Sequence, residues 1–155
     1  MQDGRLSVDR ALDRLRILPF EDLGYAKLDH HRSLRQGFPE VVFGQGKTPD
    51  QIAGIAKALS ERSETVLVTR AGPDVFPVVH AAVPDAVYHE LARAITVDRR
   101  ARPEARPGIV VAAAGTADLP VADEAAITAT LMGNEVLRLT DVGVAGVHRL
   151  LDRVA

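Results

Sequence analysis

Hydrophobic and polar positions change period several times along this chain, and each change marks an element. Leu6, Ala11, Leu12 and Leu15 recur at helical spacing and predict a short helix over 7–16, with Asp9, Arg10, Asp13 and Arg14 on its outer side. The stretch 18–39 is less regular, with Pro19 and the polar run Asp29-His30-His31-Arg32. Val41-Val42-Phe43 then predicts a short strand, closed by Gly44-Gln45-Gly46. Thr48-Pro49-Asp50-Gln51 carries a helix start: a capping Thr, a proline at the first helical position, and Gln51 at capping-box spacing. Ile52, Ile55, Ala56 and Leu59 give that helix its buried stripe, and Thr65–Thr69 predicts a second strand. Pro73, Pro77 and Pro84 interrupt the next stretch, which predicts an irregular helix over 75–83, and 93–97 predicts a third strand.

The run RRARPEARPG (99–108) carries five charges, two prolines and a closing glycine. It predicts a solvated linker and a boundary between domains 1–107 and 108–155, with a plain surface loop as the alternative. Beyond it, Ile109–Ala114 is continuously apolar, the pattern of a strand covered on both faces. Residues 119–132 predict a helix, with Pro120 in its first turn and Asp123 and Glu124 placed to complement the dipole. A strand at 135–139 and a helix at 147–154 follow. Strand, helix, strand and helix in that order imply a parallel pair with a right-handed crossover. The class expected is α/β: a small α/β N-terminal domain, then the first β-α-β-α part of a flavodoxin-like parallel-sheet domain. Two strands leave Ile109–Ala114 short of neighbours, so further strands are expected after residue 155.

Composition narrows the classes. Of the 155 residues 46% are hydrophobic but only 4% aromatic, and there is no Trp, so the core is aliphatic, as suits helices on a sheet. The net charge of -2 argues against sequence-independent nucleic-acid binding, which needs a basic excess. No apolar run approaches the ~18 residues of a membrane span, and the charged amphipathic N-terminus lacks the core of a secretory signal, so a cytoplasmic location is expected. With no Cys there is no disulfide, thiolate metal site or cysteine nucleophile in these residues.

Two loops carry candidate chemistry, because ligands in open α/β sheets sit beyond the carboxyl ends of the strands. In Ala114-Gly115-Thr116-Ala117-Asp118, Gly115 admits a close ligand and the helix start offers N–H groups to an anion. Asp118 can cap the helix, hold a ribose hydroxyl or move a proton. In Asp141–Arg149, Gly143 and Gly146 make a flexible turn; His148 can exchange a proton with a ligand or is structural or merely exposed, and Arg149 suits phosphate or carboxylate. Gly44-Gln45-Gly46-Lys47-Thr48 resembles the end of a P-loop, but Val41 stands where that motif needs Gly. A glycine turn, Lys47 and a helix start remain, which suit an anion. Asp29-His30-His31-Arg32 is a poor metal site, since adjacent side chains of an extended segment point apart. Contact with substrate or with the facing domain is the stronger expectation.

Three strings carry a family resemblance: LDHHRSLRQGFPEVVFGQGKT (28–48), AGTADLPVADEAAITATLMGN (114–134) and DVGVAGVHRLL (141–151). The first resembles the N-terminal domain of LarB proteins. The other two resemble the opening of their catalytic domain, itself similar to the PurE-type aminoimidazole ribonucleotide carboxylases and mutases. The resemblance implies carboxylation of nicotinic acid adenine dinucleotide at C5 of its pyridinium ring with CO2, and hydrolysis of its phosphoanhydride. The products would be a dicarboxylated pyridinium mononucleotide and AMP, the precursor step of the nickel-pincer cofactor. It also implies Mg2+ and a homo-oligomer, commonly an octamer, with no nucleic-acid or membrane partner.

By the same resemblance Asp118 orients substrate hydroxyls or a proton, and His148 handles a proton or CO2. Arg149 and the Gly115-Thr116 backbone hold phosphate or carboxylate, and Ala117 and Gly146 are further substrate-binding positions. Asp29, His30, Arg32 and Lys47 contact substrate or interface. Two departures stand out. Ala117 replaces the usual Ser, and the late cysteine thought to add to the pyridinium ring has no counterpart among these residues. These residues alone are therefore expected not to complete the reaction. The alternatives are a PurE-class carboxylase acting on aminoimidazole ribonucleotide, or a nucleotide-binding module without catalysis.

Overall fold

The described chain opens with a small antiparallel pair, β1 (Glu21–Asp22) and β2 (Lys27–Leu28), joined through Gly24. The structure is a computed structural model and describes residues 20–101 and 105–154; the helix expected at 7–16 lies outside the described residues. A short helix α1 (Arg32–Gln36) follows, ended by left-handed Gly37. Neither the hairpin nor α1 is anticipated by hydrophobic period, because each is too short to complete one.

The larger sheet contains β3 (Val41–Phe43), β4 (Thr65–Thr69), β5 (Val87–His89) and β6 (Ala94–Asp98), in the order β3-β4-β6-β5. Only β3 and β4 are parallel; β6 runs against both β4 and β5. Helix α2 (Pro49–Ser60) crosses between β3 and β4. Its start is built as its sequence predicts. The Gln51 amide donates to Thr48 Oγ1 at 3.3 Å, and Gln51 Oε1 accepts the Thr48 amide at 3.0 Å. Such a reciprocal cap contributes about 1 kcal/mol. Helix α3 (Val75–Ala82) packs beside α2.

Alternation along β4 sets the layers. Val66 and Val68 join Ile52, Ile55, Leu59 and Val79 in a core beneath α2 and α3. Leu67 points to the opposite face and packs with Phe38, Ala94, Ile127 and Leu131. The last two belong to α4 (Leu119–Leu131), so this helix roofs the second face of the N-terminal sheet. Full burial of one such side chain contributes ~1.5–3 kcal/mol, so both layers are stabilised substantially.

Beyond residue 105, β7 (Arg106–Ala112) and β8 (Asn134–Leu139) form a parallel two-stranded sheet joined by α4, and α5 (Val147–Val154) follows. Burial corrects the expectation for this sheet. Val110 and Leu137 are 55% and 57% exposed, so β7 is not covered on both faces. With two strands and one packed helix, only the Ile109, Val111 and Val136 side has a neighbour. The strands covered on both faces are β4 and β6 instead. Asp123 and Glu124 also depart from expectation: they lie beyond the first turn of α4 and pair with Arg138 and Arg70. The fold is α/β, with one mixed and one parallel sheet, and no helix among the described residues is long and apolar enough to cross a membrane.

Candidate functional site

Because β7 and β8 are parallel, their carboxyl ends emerge side by side. The ladder continues past them: the Ala113 amide donates to Leu139 O at 2.8 Å and the Val142 amide to Ala113 O at 3.1 Å. These bonds draw the two candidate loops together. Gly143 permits the approach, since a Cβ there would lie 3.0 Å from Ala114 O. Thr116–Asp118 forms a single 3-10 turn running directly into α4. Asp118 Oδ2 accepts the Gly115 amide at 3.2 Å, so part of its role is to close this turn. Thr116, Ala117 and Asp118 are exposed, as a receiving surface requires.

In the second loop, Asp141 takes a left-handed backbone with φ 60. Its carboxylate meets Arg149 Nη1 at 2.7 Å, and the guanidinium lies against buried Gly146. His148 is exposed in the first turn of α5, with no hydrogen-bond partner among the described residues. The structure thus brings Gly115, Thr116, Ala117, Asp118, Gly146, His148 and Arg149 to one edge of one sheet, where acceptor, imidazole and guanidinium groups stand together, the guanidinium paired with Asp141.

The remaining expected residues lie in the N-terminal unit, where each has a partner within that unit. His30 Nε2 is 2.8 Å from Glu21 Oε2, and the His30 side chain is only 8% exposed. Arg62 Nε reaches the same oxygen at 3.4 Å, so Glu21 ties β1 to both His30 and the end of α2. Asp29 accepts from the Arg35 guanidinium and from the His31 amide, while its own amide donates to Glu40 Oε2 at 2.6 Å. Burial tends to raise the Asp29 carboxyl, but Arg35 and the His31 amide outweigh it and hold it below its ordinary value. Arg32 Nε donates to Gln36 Oε1 at 3.0 Å. Lys47 Nζ donates to Phe43 O at 2.7 Å, closing the glycine turn. Residues 29–32 therefore contact their own unit. Glu21, Arg35, Glu40 and Arg62 were not anticipated: the β1–β2 hairpin places Glu21, while the chain around the short helix α1 brings Arg35 and Glu40 to Asp29.

Residues 20–100 match the family of the LarB/PurE-like N-terminal domain. The chain belongs to the LarB family. It is also similar to an uncharacterized protein of Methanocaldococcus jannaschii, 31% identical over 156 residues. That alignment takes in 96% of this chain and 61% of the relative, so the chain spans about three-fifths of that protein's length.

In this LarB chain a second polar surface lies where the two sheets face each other across α4. His89 Nε2 and Thr96 Oγ1 are 2.8 Å apart, and the Asp123–Arg138 ion pair lines the same cleft. Burial pushes the His89 imidazole below its ordinary value; Asp123 opposes this and Arg138 reinforces it. Of these residues the sequence singled out only Asp123, as a partner of the helix dipole, because the cluster comes together only when α4 docks. Among the described residues no group of three or more His, Asp or Glu is placed to hold a metal.

Proposed function

We propose that this chain supplies the dinucleotide-binding edge of a LarB-type reaction: carboxylation of the pyridinium ring of nicotinic acid adenine dinucleotide, with phosphoanhydride hydrolysis. The observation that carries the reading is the convergence, in a member of this family, of the Gly115–Asp118 and Asp141–Arg149 loops at the carboxyl ends of two parallel strands. In this reading Arg149 and the Gly115–Thr116 backbone receive phosphate or carboxylate. Asp118 orients a ribose hydroxyl or a proton, and His148 takes the proton released when the ring C–H is replaced by C–COO–. Asp29, His30 and Arg32 shape the N-terminal unit beside it, and a homo-oligomer completes the assembly.

Two parts of the chemistry draw on groups outside these residues. A pyridinium carbon is electron-poor and attacks CO2 only after a nucleophile has added to the ring. No cysteine is present to do so. Magnesium has no cluster of carboxylates among the described residues, so in this reading it arrives on the substrate's own phosphates.

The test combines binding with product analysis. The chain should bind nicotinic acid adenine dinucleotide by calorimetry. Incubated with bicarbonate and magnesium, it should yield no AMP by mass spectrometry. Preferential binding of aminoimidazole ribonucleotide would favour the PurE-type alternative instead. No affinity for either nucleotide would remove the reading altogether.

A further inference from the structure

The chain has four Phe and two Tyr, and three of these six rings stand exposed around one groove. Tyr25 is 51% exposed, Phe43 53% and Phe20 47%. Tyr25, Lys27, Glu40, Phe43 and Lys47 line a groove of about 310 Å³ between the β1–β2 hairpin and the edge strand β3. Lys27 Nζ lies 5.2 Å from the centre of the Phe20 ring, so that ring joins the same surface. Single exposed aromatics need no explanation, but a cluster interleaved with ammonium groups has the make-up of a surface that stacks a base and holds a phosphate.

The groove is also built into the backbone. Gly54 sits inside α2, where glycine costs stability relative to alanine. A Cβ at that position would fall 2.3 Å from Tyr25 Oη. The absent side chain is what lets the Tyr25 hydroxyl rest on the helix and stand its ring along the groove wall. Glu40 Oε2 is held by the Asp29 amide at 2.6 Å, which fixes a carboxylate in the groove as a hydroxyl acceptor. The volume lies near the lower end of the ~300–1,000 Å³ typical of small-molecule sites, enough for one base with its sugar phosphate and too small for a whole dinucleotide.

We infer that this groove binds a nucleoside monophosphate, with the base against Phe43 and Tyr25, the phosphate on Lys27 and Lys47, and a ribose hydroxyl on Glu40. The choice of adenine rests on the dinucleotide reading above; the groove itself does not. Free AMP and the adenylate half of a dinucleotide share this chemistry.

The experiment is calorimetric titration of the whole chain with AMP, with nicotinic acid adenine dinucleotide and with inorganic phosphate. AMP should bind more tightly than phosphate, and more weakly as salt is raised. Phe43→Ala and Lys27→Ala, both at exposed positions, should each weaken AMP by about fivefold or more, the scale of one lost base-stacking or phosphate contact. Gly54→Ala should raise the melting temperature, yet weaken AMP by displacing Tyr25. A loss of affinity without loss of folding cannot come from a destabilised chain.

AMP affinity unchanged in all three variants, or no stronger than that of phosphate, overturns the groove. Arg149→Ala separates the two proposals. AMP binding retained while dinucleotide binding falls supports two distinct sites. Dinucleotide binding that fails everywhere while AMP still responds to Phe43→Ala sinks only the functional reading.

Discussion

Arg70 Nε and Glu124 Oε2 meet at 3.0 Å, joining the carboxyl end of β4 to the first half of α4. The contact lies within two turns of Asp118, so it bears on how the candidate loop is held against the N-terminal sheet. Arg70 is 44% and Glu124 21% exposed as side chains, which places the pair in the weak class of surface bridges. A double-mutant cycle of Arg70→Gln and Glu124→Gln should therefore give a coupling of only ~0.2–1 kcal/mol in urea unfolding, falling as salt is raised. A coupling above that range would mean the pair organises the junction more than its exposure suggests.

The apolar contact across the same junction should matter more. Ile127 packs in the cluster that holds Leu67, Ala94 and Leu131, linking α4 to β4 and β6. Ile127→Ala should cost ~2–5 kcal/mol of unfolding free energy, the usual range for a large aliphatic truncated in a core. Protection from hydrogen exchange should fall on both β4 and β8. A loss confined to β7, β8 and α4 would show that the two sheets are energetically independent.

His89 gives stability a defined pH dependence. Burial depresses its pKa in the folded state, while the unfolded chain protonates at about 6.5. Between the two values the unfolded state binds more protons, so stability rises with pH through that window. The contribution is present above the unfolded value and is lost as pH falls towards the folded one. His89→Gln, which can keep a hydrogen bond to Thr96, should flatten the change in urea midpoint between pH 7.5 and 5.5. An unaltered slope in the variant would assign that dependence to other groups.

How far these features could be read from residues alone depended on how local their causes are. The α2 start was legible because a capping box is contained within Thr48–Gln51. The convergence of the two loops was legible because parallel strands place successive carboxyl ends together. Burial was not. Val66-Leu67-Val68 and Val110-Val111 look alike as apolar runs, and only the number of layers laid on each strand tells them apart. The Glu21–His30 contact was hidden for a related reason: nine residues separate the partners, and a hairpin of two-residue strands has no period to announce it.

The ion pair between Asp141 and Arg149 offers the sharpest test of the proposed ligand edge. Arg149 can receive a phosphate only by sharing or leaving the carboxylate that meets it at 2.7 Å. Asp141→Asn removes that competing charge, and Asn accepts the left-handed backbone of this position at least as readily. The variant should fold normally and bind nicotinic acid adenine dinucleotide up to about fivefold more tightly, corresponding to a surface pair of ~1 kcal/mol or less. Arg149→Ala should weaken the same ligand. If Asp141→Asn instead weakens binding as much as Arg149→Ala does, the carboxylate is aiming the guanidinium rather than competing for it. The intact pair would then be the binding unit, and the picture of Arg149 moving off Asp141 to meet the phosphate would have to be abandoned.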